Sequence, residues 1–206
     1  MGRIVTFTSV TLDGVMQAPG RADEDTRTGF KHGGWAARYA DAVSAGFAGE
    51  SMGRTSGLLL GRRTYEDFFS FWPKQKDNMF TDALNNQQKY VVSNTLKEPL
   101  EWKNSTLLKG DPMEAVRRLR AGSEDNLVVL GSGQLVRSLL SHDLVDEYVL
   151  LIHPLVLGSG TRLFADGGTK ADLMLQGVKP TTMGVLIATY RPVRGSTAGT
   201  GSSIVP

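Results

Sequence analysis

The 206-residue chain has 23 lysines and arginines against 21 acidic residues, and it contains no cysteine. Its length fits one large domain or two small ones. The lack of cysteine excludes disulfides, thiolate catalysis, zinc fingers and iron–sulfur clusters. Residues 191–206 hold two arginines and no acid, so the rest of the chain is formally neutral. Because residues 1–190 carry no net charge, they have no overall electrostatic attraction for nucleic acid or an anionic membrane.

Strand and helix patterns alternate along the first half of the chain. Residues 4–10 alternate apolar with small polar side chains, which predicts a strand. Residues 36–47 carry an apolar stripe with a spacing of four and predict a helix. The apolar run 57–61 lies between glycines and is typical of a strand buried on both faces. A short helix is predicted over 64–71, with Thr64 as the candidate N-cap.

The second half continues the alternation and then changes. Asp111, Pro112 and Glu114 form a strong helix start, and that helix is predicted to end near residue 120. The other predicted elements are a helix over 133–140 and strands over 89–93, 126–130, 145–152, 173–177 and 185–191. Helices between strands favour an α/β fold with a mainly parallel central sheet covered on both faces. The last two strands are predicted to form an antiparallel pair.

The sequence predicts one domain over 1–190. Residues 191–206 are rich in Gly, Ser, Thr and Pro and predict a flexible tail. The polar segment 17–34 predicts a long mobile loop. The N-terminus enters a strand pattern at once, so we expect no signal peptide, and the most apolar stretch, 148–157, is too short to span a bilayer. We therefore expect a cytoplasmic protein.

The first candidate ligand site lies where the strand over 57–61 meets its helix. Gly61 would allow a close backbone approach, and a helix N-terminus offers unpaired N–H groups to a phosphate. Arg62 and Arg63 add charges with bidentate geometry for phosphate oxygens. The alternative is a glycine turn followed by two solvated arginines, and the residues alone leave both interpretations open.

The second candidate is a Gly-Ser-Gly turn between a predicted strand and helix. Gly131 and Gly133 have the layout that cradles a dinucleotide pyrophosphate, but Val136 stands where the full motif needs a third glycine. A simple tight turn is the alternative. Both turns follow strands of one predicted sheet, and ligands bind at the carboxyl ends of such strands. Their pairing favours a phosphate-bearing ligand.

Other kinds of site find no support in the sequence. Leu130 and Leu157 precede the two Gly-Ser-Gly turns where a nucleophile elbow needs glycine. His32, His142 and His153 are isolated and lack metal-ligand spacing, so we expect no metal site.

Five segments, taken together and in order, resemble the dihydrofolate reductase-like superfamily. The resemblance is strongest to the reductase domain of the bifunctional riboflavin-biosynthesis deaminase-reductase and to its stand-alone relatives. The segments span most of 3–190 and comprise Thr8–Met16, Leu60–Glu66, Val91–Asn94, Val129–Leu135, and Val145–Tyr148 continuing through His153–Gly160. These 206 residues show no deaminase segment, so we do not expect the full bifunctional enzyme.

The resemblance implies a three-layer dihydrofolate reductase-like fold and NADPH as the cofactor. By position, it assigns the adenosine-side phosphates to Gly61, Arg62, Arg63 and Thr64. It assigns the 2′-phosphoribose to Ser93 and Asn94, with help from one of the two arginines. The resemblance assigns the pyrophosphate to Gly131, Ser132, Gly133, Gln134 and Leu135. It assigns the nicotinamide to Ser9, Val10 and Met16.

One departure from the family bears on the reaction. True dihydrofolate reductases carry an acid near the start of the first helix, which orients the pterin and assists its protonation. Residues 31–39 hold no acid, and Asp41 lies a turn or more further on. Asp13 is the nearest other acid, but a loop-capping role is favoured for it. Folate reduction is therefore not expected, and no proton donor is assigned.

The leading hypothesis is an NADPH-dependent reductase that transfers a hydride to a small pteridine- or pyrimidine-like heterocycle. The resemblance also suggests a homodimer, formed through the C-terminal strands. The alternative is a non-catalytic NADP-binding or dimeric scaffold protein that retains the fold. Nucleic-acid binding has only the two arginines of 191–206 in its favour.

Overall fold

The computed structural model describes residues 2–76 and 79–194, apart from the side chain of Met79. The strands are β1 (Ile4–Thr11), β2 (Thr55–Gly61), β3 (Lys89–Val92), β4 (Ser105–Leu108), β5 (Asn126–Leu130), β6 (Glu147–His153), β7 (Leu173–Pro180) and β8 (Leu186–Pro192). The α-helices are α1 (Ala42–Gly53), α2 (Arg62–Phe71), α3 (Met79–Asn86), α4 (Pro112–Gly122) and α5 (Gly133–Ser141).

The eight strands form one sheet in the order β4-β3-β2-β5-β1-β6-β8-β7. The first six are parallel neighbours, and β8 pairs antiparallel with both β6 and β7. The predicted α/β fold, with a mainly parallel sheet and antiparallel C-terminal strands, is confirmed. Strand β1 lies in the interior of the sheet, with β5 on one side and β6 on the other. The strand order therefore reverses at β1, and such a topological switch point leaves a crevice at the carboxyl ends of the strands.

The sheet is buried on both faces. Leu58 and Leu60 point into a core that includes Tyr65 of α2 and Leu84 of α3, whereas Leu59, between them, points into the core formed with α4 and α5. All three leucines are fully buried. The continuously apolar run 57–61 therefore behaves as the sequence predicted, because alternate residues of a strand need a partner on each face.

The first helix begins six residues later than predicted. Asp41 is its N-cap: the carboxylate accepts from Ser44 N over 2.8 Å, and Ser44 Oγ accepts in return from Asp41 N. This reciprocal pair fixes the helix start. The preceding residues, 37–39, form a separate turn of 3-10 helix.

Two elements were not predicted from the sequence. The edge strand β4 has only four residues, which is too short to show a period. Helix α3 is short and polar at its C-terminal end, Asn85–Asn86. Buried Lys89 holds this end by donating from Nζ to the carbonyls of Leu84 and Gln87.

The start of the predicted tail is part of the fold. Strand β8 runs to Pro192, Arg191 pairs with Glu147 at 3.2 Å, and Arg194 pairs with Asp146 at 2.8 Å. The two arginines that motivated nucleic-acid binding thus have acidic partners. Residues 195–206, the rest of the predicted tail, lie outside the described residues.

The segment 17–34 is irregular, as predicted, and it has a small core of its own. Ala18, Phe30 and Trp35 are buried together with Val15. The indole N–H of Trp35 donates to the carbonyl of Gln17 over 2.7 Å. The mobility of this segment stays a prediction.

Candidate functional site

A cavity of about 950 Å³ opens at the carboxyl ends of the parallel strands. This volume is near the upper end of the range of about 300–1,000 Å³ for small-molecule and cofactor sites. Its floor comes from the ends of β1, β2, β3 and β5, and its walls come from α2, α5 and the segment 17–34. The cavity thus lies at the switch point of the sheet.

The cavity gathers nearly all the residues that the resemblance assigned to a cofactor. Those that line it are Ser9, Met16, Gly61, Arg62, Arg63, Thr64, Ser93, Asn94, Gly131, Ser132, Gly133, Gln134 and Leu135. The exception is Val10, which does not line the cavity and is buried in the core with Ile4. Val10 lies one residue further along β1 than Ser9, beyond the consecutive residues Phe7, Thr8 and Ser9 that line the cavity.

Two of the helices that start at the cavity lack side-chain caps. The N-cap of α2 is Gly61, which has no side chain, and the side chain of Ser132, the N-cap of α5, makes no bond to the first turn. In contrast, Asp41 caps α1, and Asp111 caps α4, whose first residues Pro112 and Met113 also line the cavity. An uncapped helix start leaves N–H donors and a partial positive charge for an anion. The predicted N-cap Thr64 is instead the third residue of α2.

Hydrogen bonds join the two turns directly. Ser132 Oγ accepts from Gly61 N at 3.0 Å and donates to Thr64 Oγ1 at 2.9 Å. Thr64 Oγ1 also accepts from Ser132 N at 3.2 Å. The bonds between Ser132 and Thr64 fix the distance between the starts of α2 and α5. A ligand that contacts both helix N-termini would therefore find the site already formed.

Glycine is favoured at two positions of the second turn for different reasons. Gly131 has φ +55° and precedes Ser132, which has φ +50°, so the chain turns sharply before α5. At Gly133 an added Cβ would clash with Sδ of Met16 unless that side chain moved. Met16 therefore packs directly on the start of α5 and joins the first-strand side of the cavity to the Gly-Ser-Gly turn.

The two arginines of α2 differ in their partners. Arg62 pairs with Glu66 at 3.2 Å, one turn along the helix. Arg63 is exposed and has no ion pair within the described residues. At the carboxyl end of β3, Ser93 Oγ accepts from the N–H groups of Thr95 and Leu96, which shapes the turn, while Asn94 stays exposed. Arg63 is thus the cation best placed to meet a phosphate here.

Thr8 also lines the cavity, although it was not predicted as a site residue. Its side chain is buried, and Oγ1 has no hydrogen-bond partner among the residues described. A buried hydroxyl without a partner is costly, so a ligand that bonds to it would be favoured. The alternating pattern of residues 4–10 predicted a strand. It could not show that the Thr8 hydroxyl would lack a hydrogen-bond partner.

The segment 17–34 covers the cavity from β1 to α2. Near β1, Gln17 Oε1 accepts from Thr161 N at 2.9 Å. Beyond it, the guanidinium of Arg21 pairs with Asp67 of α2 and lies 4.2 Å above the ring of Phe71. The segment therefore forms one wall of the cavity, and its residues Asp23, Glu24, Asp25, Thr26 and Arg27 line it. Loop sequences have no period from which this position could be predicted.

Both acids weighed from the sequence are engaged away from the cavity. The hydroxyl of Thr11 holds the pKa of Asp13 below its usual range, and this carboxylate also accepts from the N–H groups of Leu157 and Gly158. The hydroxyl of Thr182 and the N–H of Ser44 lower the pKa of Asp41. The loop-capping role favoured for Asp13 agrees with these contacts.

Within residues 2–76 and 79–194, no cluster of three or more His, Asp or Glu side chains is arranged to hold a metal ion. In the same part of the chain, no helix has the length and apolar character needed to cross a bilayer.

The family described as RibD C-terminal domain matches residues 3–187 of the chain. Two relatives come from Bacillus subtilis (strain 168). The uncharacterized protein YyaP is 26% identical over 193 residues, covering 91% of this chain and 94% of its own. The uncharacterized protein YwjB is 27% identical over 124 residues, covering 59% of this chain and 66% of its own.

Solved structures share the fold. A candidate riboflavin biosynthesis protein from Shewanella sp. PV-4 has a TM-score of 0.67 at 22% identity, covering 93% of this chain and 99% of its own. A pyrimidine reductase-like protein from Corynebacterium diphtheriae has a TM-score of 0.66 at 13% identity, covering 94% of this chain and 92% of its own.

Proposed function

The chain belongs to the RibD C-terminal domain family, and we propose that it is an NADPH-dependent reductase acting on a small heterocycle. The proposed substrate is pteridine- or pyrimidine-like, as for a riboflavin-biosynthesis reductase. The observation that carries this proposal is the pair of uncapped helix N-termini, joined by Ser132 and Thr64 and opening into one cavity. A dinucleotide offers phosphates to both.

The residues present fit such a cofactor. The starts of α2 and α5 would hold its phosphates, and Arg63 would meet the 2′-phosphate beside Asn94. Ser9 and Met16 would flank the nicotinamide, where the unsatisfied hydroxyl of buried Thr8 can bond to an amide group. When bound, the nicotinamide supplies the hydride. The protein orients the reactants and, through the segment 17–34, limits their contact with water.

Turnover distinguishes this proposal from a non-catalytic scaffold. The positions of Asp13 and Asp41 favour the scaffold, because neither acid lines the cavity. We expect loss of NADPH absorbance when the protein is mixed with dihydropterin or a flavin. A protein that binds NADP+ but oxidises NADPH with none of these probes would instead support the scaffold.

We further propose a homodimer formed through β7 and β8. These strands end the sheet, and four of their apolar side chains are 42–57% exposed: Met174, Leu175, Val178 and Leu186. An apolar edge of this kind is unusual on a free monomer because it invites pairing with another chain.

Val178→Lys is expected to convert the dimer into a monomer, because it would place a charge within the apolar contact. Light scattering after size exclusion measures the mass. The matched control is Val156→Lys, since this valine is 67% exposed and lies in the loop after β6, outside β7 and β8. A monomeric wild type, or a Val178→Lys protein that stays dimeric, would contradict the proposed interface.

A further inference from the structure

Five carboxylates line the cavity, and four of them have an arginine partner. The paired ones are Asp23 and Asp67, both with Arg21, Asp25 with Arg27, and Glu66 with Arg62. Glu24 alone has no ion pair in the described part of the chain. It is therefore the cavity carboxyl that no guanidinium contacts directly in the described residues.

The two oxygens of Glu24 have different surroundings. Oε2 accepts from Gly20 N at 2.7 Å and from Arg21 N at 3.2 Å, which fixes the direction of the carboxyl group. Oε1 has no hydrogen-bond partner among the described residues, and the half-buried side chain lines the cavity. One oxygen is anchored, and the other is left for a ligand.

The backbone around Glu24 is held from two sides of the cavity. Gln17 Nε2 donates to the carbonyls of Asp25 and Arg27, immediately after Glu24, and Gln17 itself is tied to Thr161. Arg21, three residues before Glu24, is tied to α2 through Asp67. These contacts tie the backbone on either side of Glu24 to Gln17, just after β1, and to the middle of α2.

We propose that Glu24 is the proton donor of the reduction, an assignment that rests on the proposed function. A hydride from the nicotinamide bonds to the carbon of a substrate C=N group, and the π pair of that group moves to nitrogen. The nitrogen takes the proton from Glu24 Oε1, leaving a carboxylate that solvent reprotonates. The substrate gains two electrons, and NADPH becomes NADP+.

The charges around Glu24 agree with this role. Burial raises the pKa of Glu24, and the negative charge of Asp67 raises it further. The N–H groups of Gly20 and Arg21, and the charge of Arg21, act in the opposite direction without cancelling the rise. Because the protonated form is the donor, the reaction rate should fall as the pH increases through the pKa of Glu24.

The first test is Glu24→Gln, which keeps the shape but cannot donate a carboxyl proton. With NADPH and dihydropterin or a flavin, each of which has a reducible C=N group, we expect kcat to fall about 10²- to 10⁴-fold, the usual contribution of general acid catalysis. The Kd for NADP+ should stay near that of the wild type, and the fall of the rate at high pH should disappear. Glu50→Gln, on the exposed face of α1, is the control.

The second test follows the carboxyl carbon of Glu24 by NMR during a pH titration, with Glu24→Gln assigning the signal. We expect a pKa above the ordinary value in the wild type and a lower one in Asp67→Asn, which removes a negative charge and frees Arg21. An ordinary pKa, or unchanged kcat in Glu24→Gln, would overturn the proton-donor role. A wild type that reduces none of the probes would instead count against the proposed function.

Discussion

Arg63→Ala should weaken NADP+ binding by about 10- to 100-fold, the loss expected when a charged hydrogen bond to a phosphate is removed. Arg63 is the second residue of α2, lines the cavity, is exposed and has no ion pair in the described residues. Its guanidinium is therefore available to the 2′-phosphate without first breaking another contact. Titration calorimetry with NADP+ measures the effect directly.

Arg62→Ala provides the matched control, because Arg62 already pairs with Glu66. We expect it to change the affinity much less than Arg63→Ala. Binding of NAD+, which lacks the 2′-phosphate, should be nearly the same in the wild type and in Arg63→Ala. Equal losses in the two variants, or an equal loss for NAD+, would contradict the role assigned to Arg63.

Asp146→Ala is expected to lower the free energy of unfolding by about 3 kcal/mol or more, the cost of leaving buried charges without their partner. The Asp146 carboxylate accepts from Ile4 N, Arg120 and Arg194 at 2.7–2.8 Å, and its side chain is only 10% exposed. It therefore ties β1 to α4 and to the chain after β8. Urea denaturation measures the change.

Glu114→Ala is the control for that measurement. Glu114 pairs with Arg117 at 3.4 Å on the surface of α4, and exposed pairs of this kind contribute little. A stability of Asp146→Ala equal to that of Glu114→Ala would refute the structural role of Asp146. If Asp146→Ala fails to accumulate, Asp146→Asn, which keeps the shape, should still be less stable than the control.

The positions of the two glycine turns were predictable because the signals for them are local. Gly61, Gly131 and Gly133 each stand between a recognisable strand and helix, and parallel strands end on the same edge of a sheet. That reasoning placed both turns on one cavity without any long-range information. The junction between Ser132 and Thr64 was not predictable, since it joins residues 68 positions apart.

The positions that sequence reasoning missed have different physical causes. Glu24 lies in a loop without a period, and the contacts of Gln17 and Arg21 hold that loop at the cavity. Val10 was assigned to the site with Ser9, but its side chain is buried in the core with Ile4. The start of α1 depended on the capping pair of Asp41 and Ser44, which the apolar stripe of 36–47 obscured.

Titration of the wild type with NADP+ and NAD+ by calorimetry tests the central claim most directly. If the joined N-termini of α2 and α5 form a dinucleotide site, NADP+ should bind with one site per chain and more tightly than NAD+. The protein is formally near-neutral, so the preference for NADP+ has to come from a local cation. We assign that cation as Arg63, and the preference should therefore be lost in Arg63→Ala. Failure of the wild type to bind NADP+ would contradict the account.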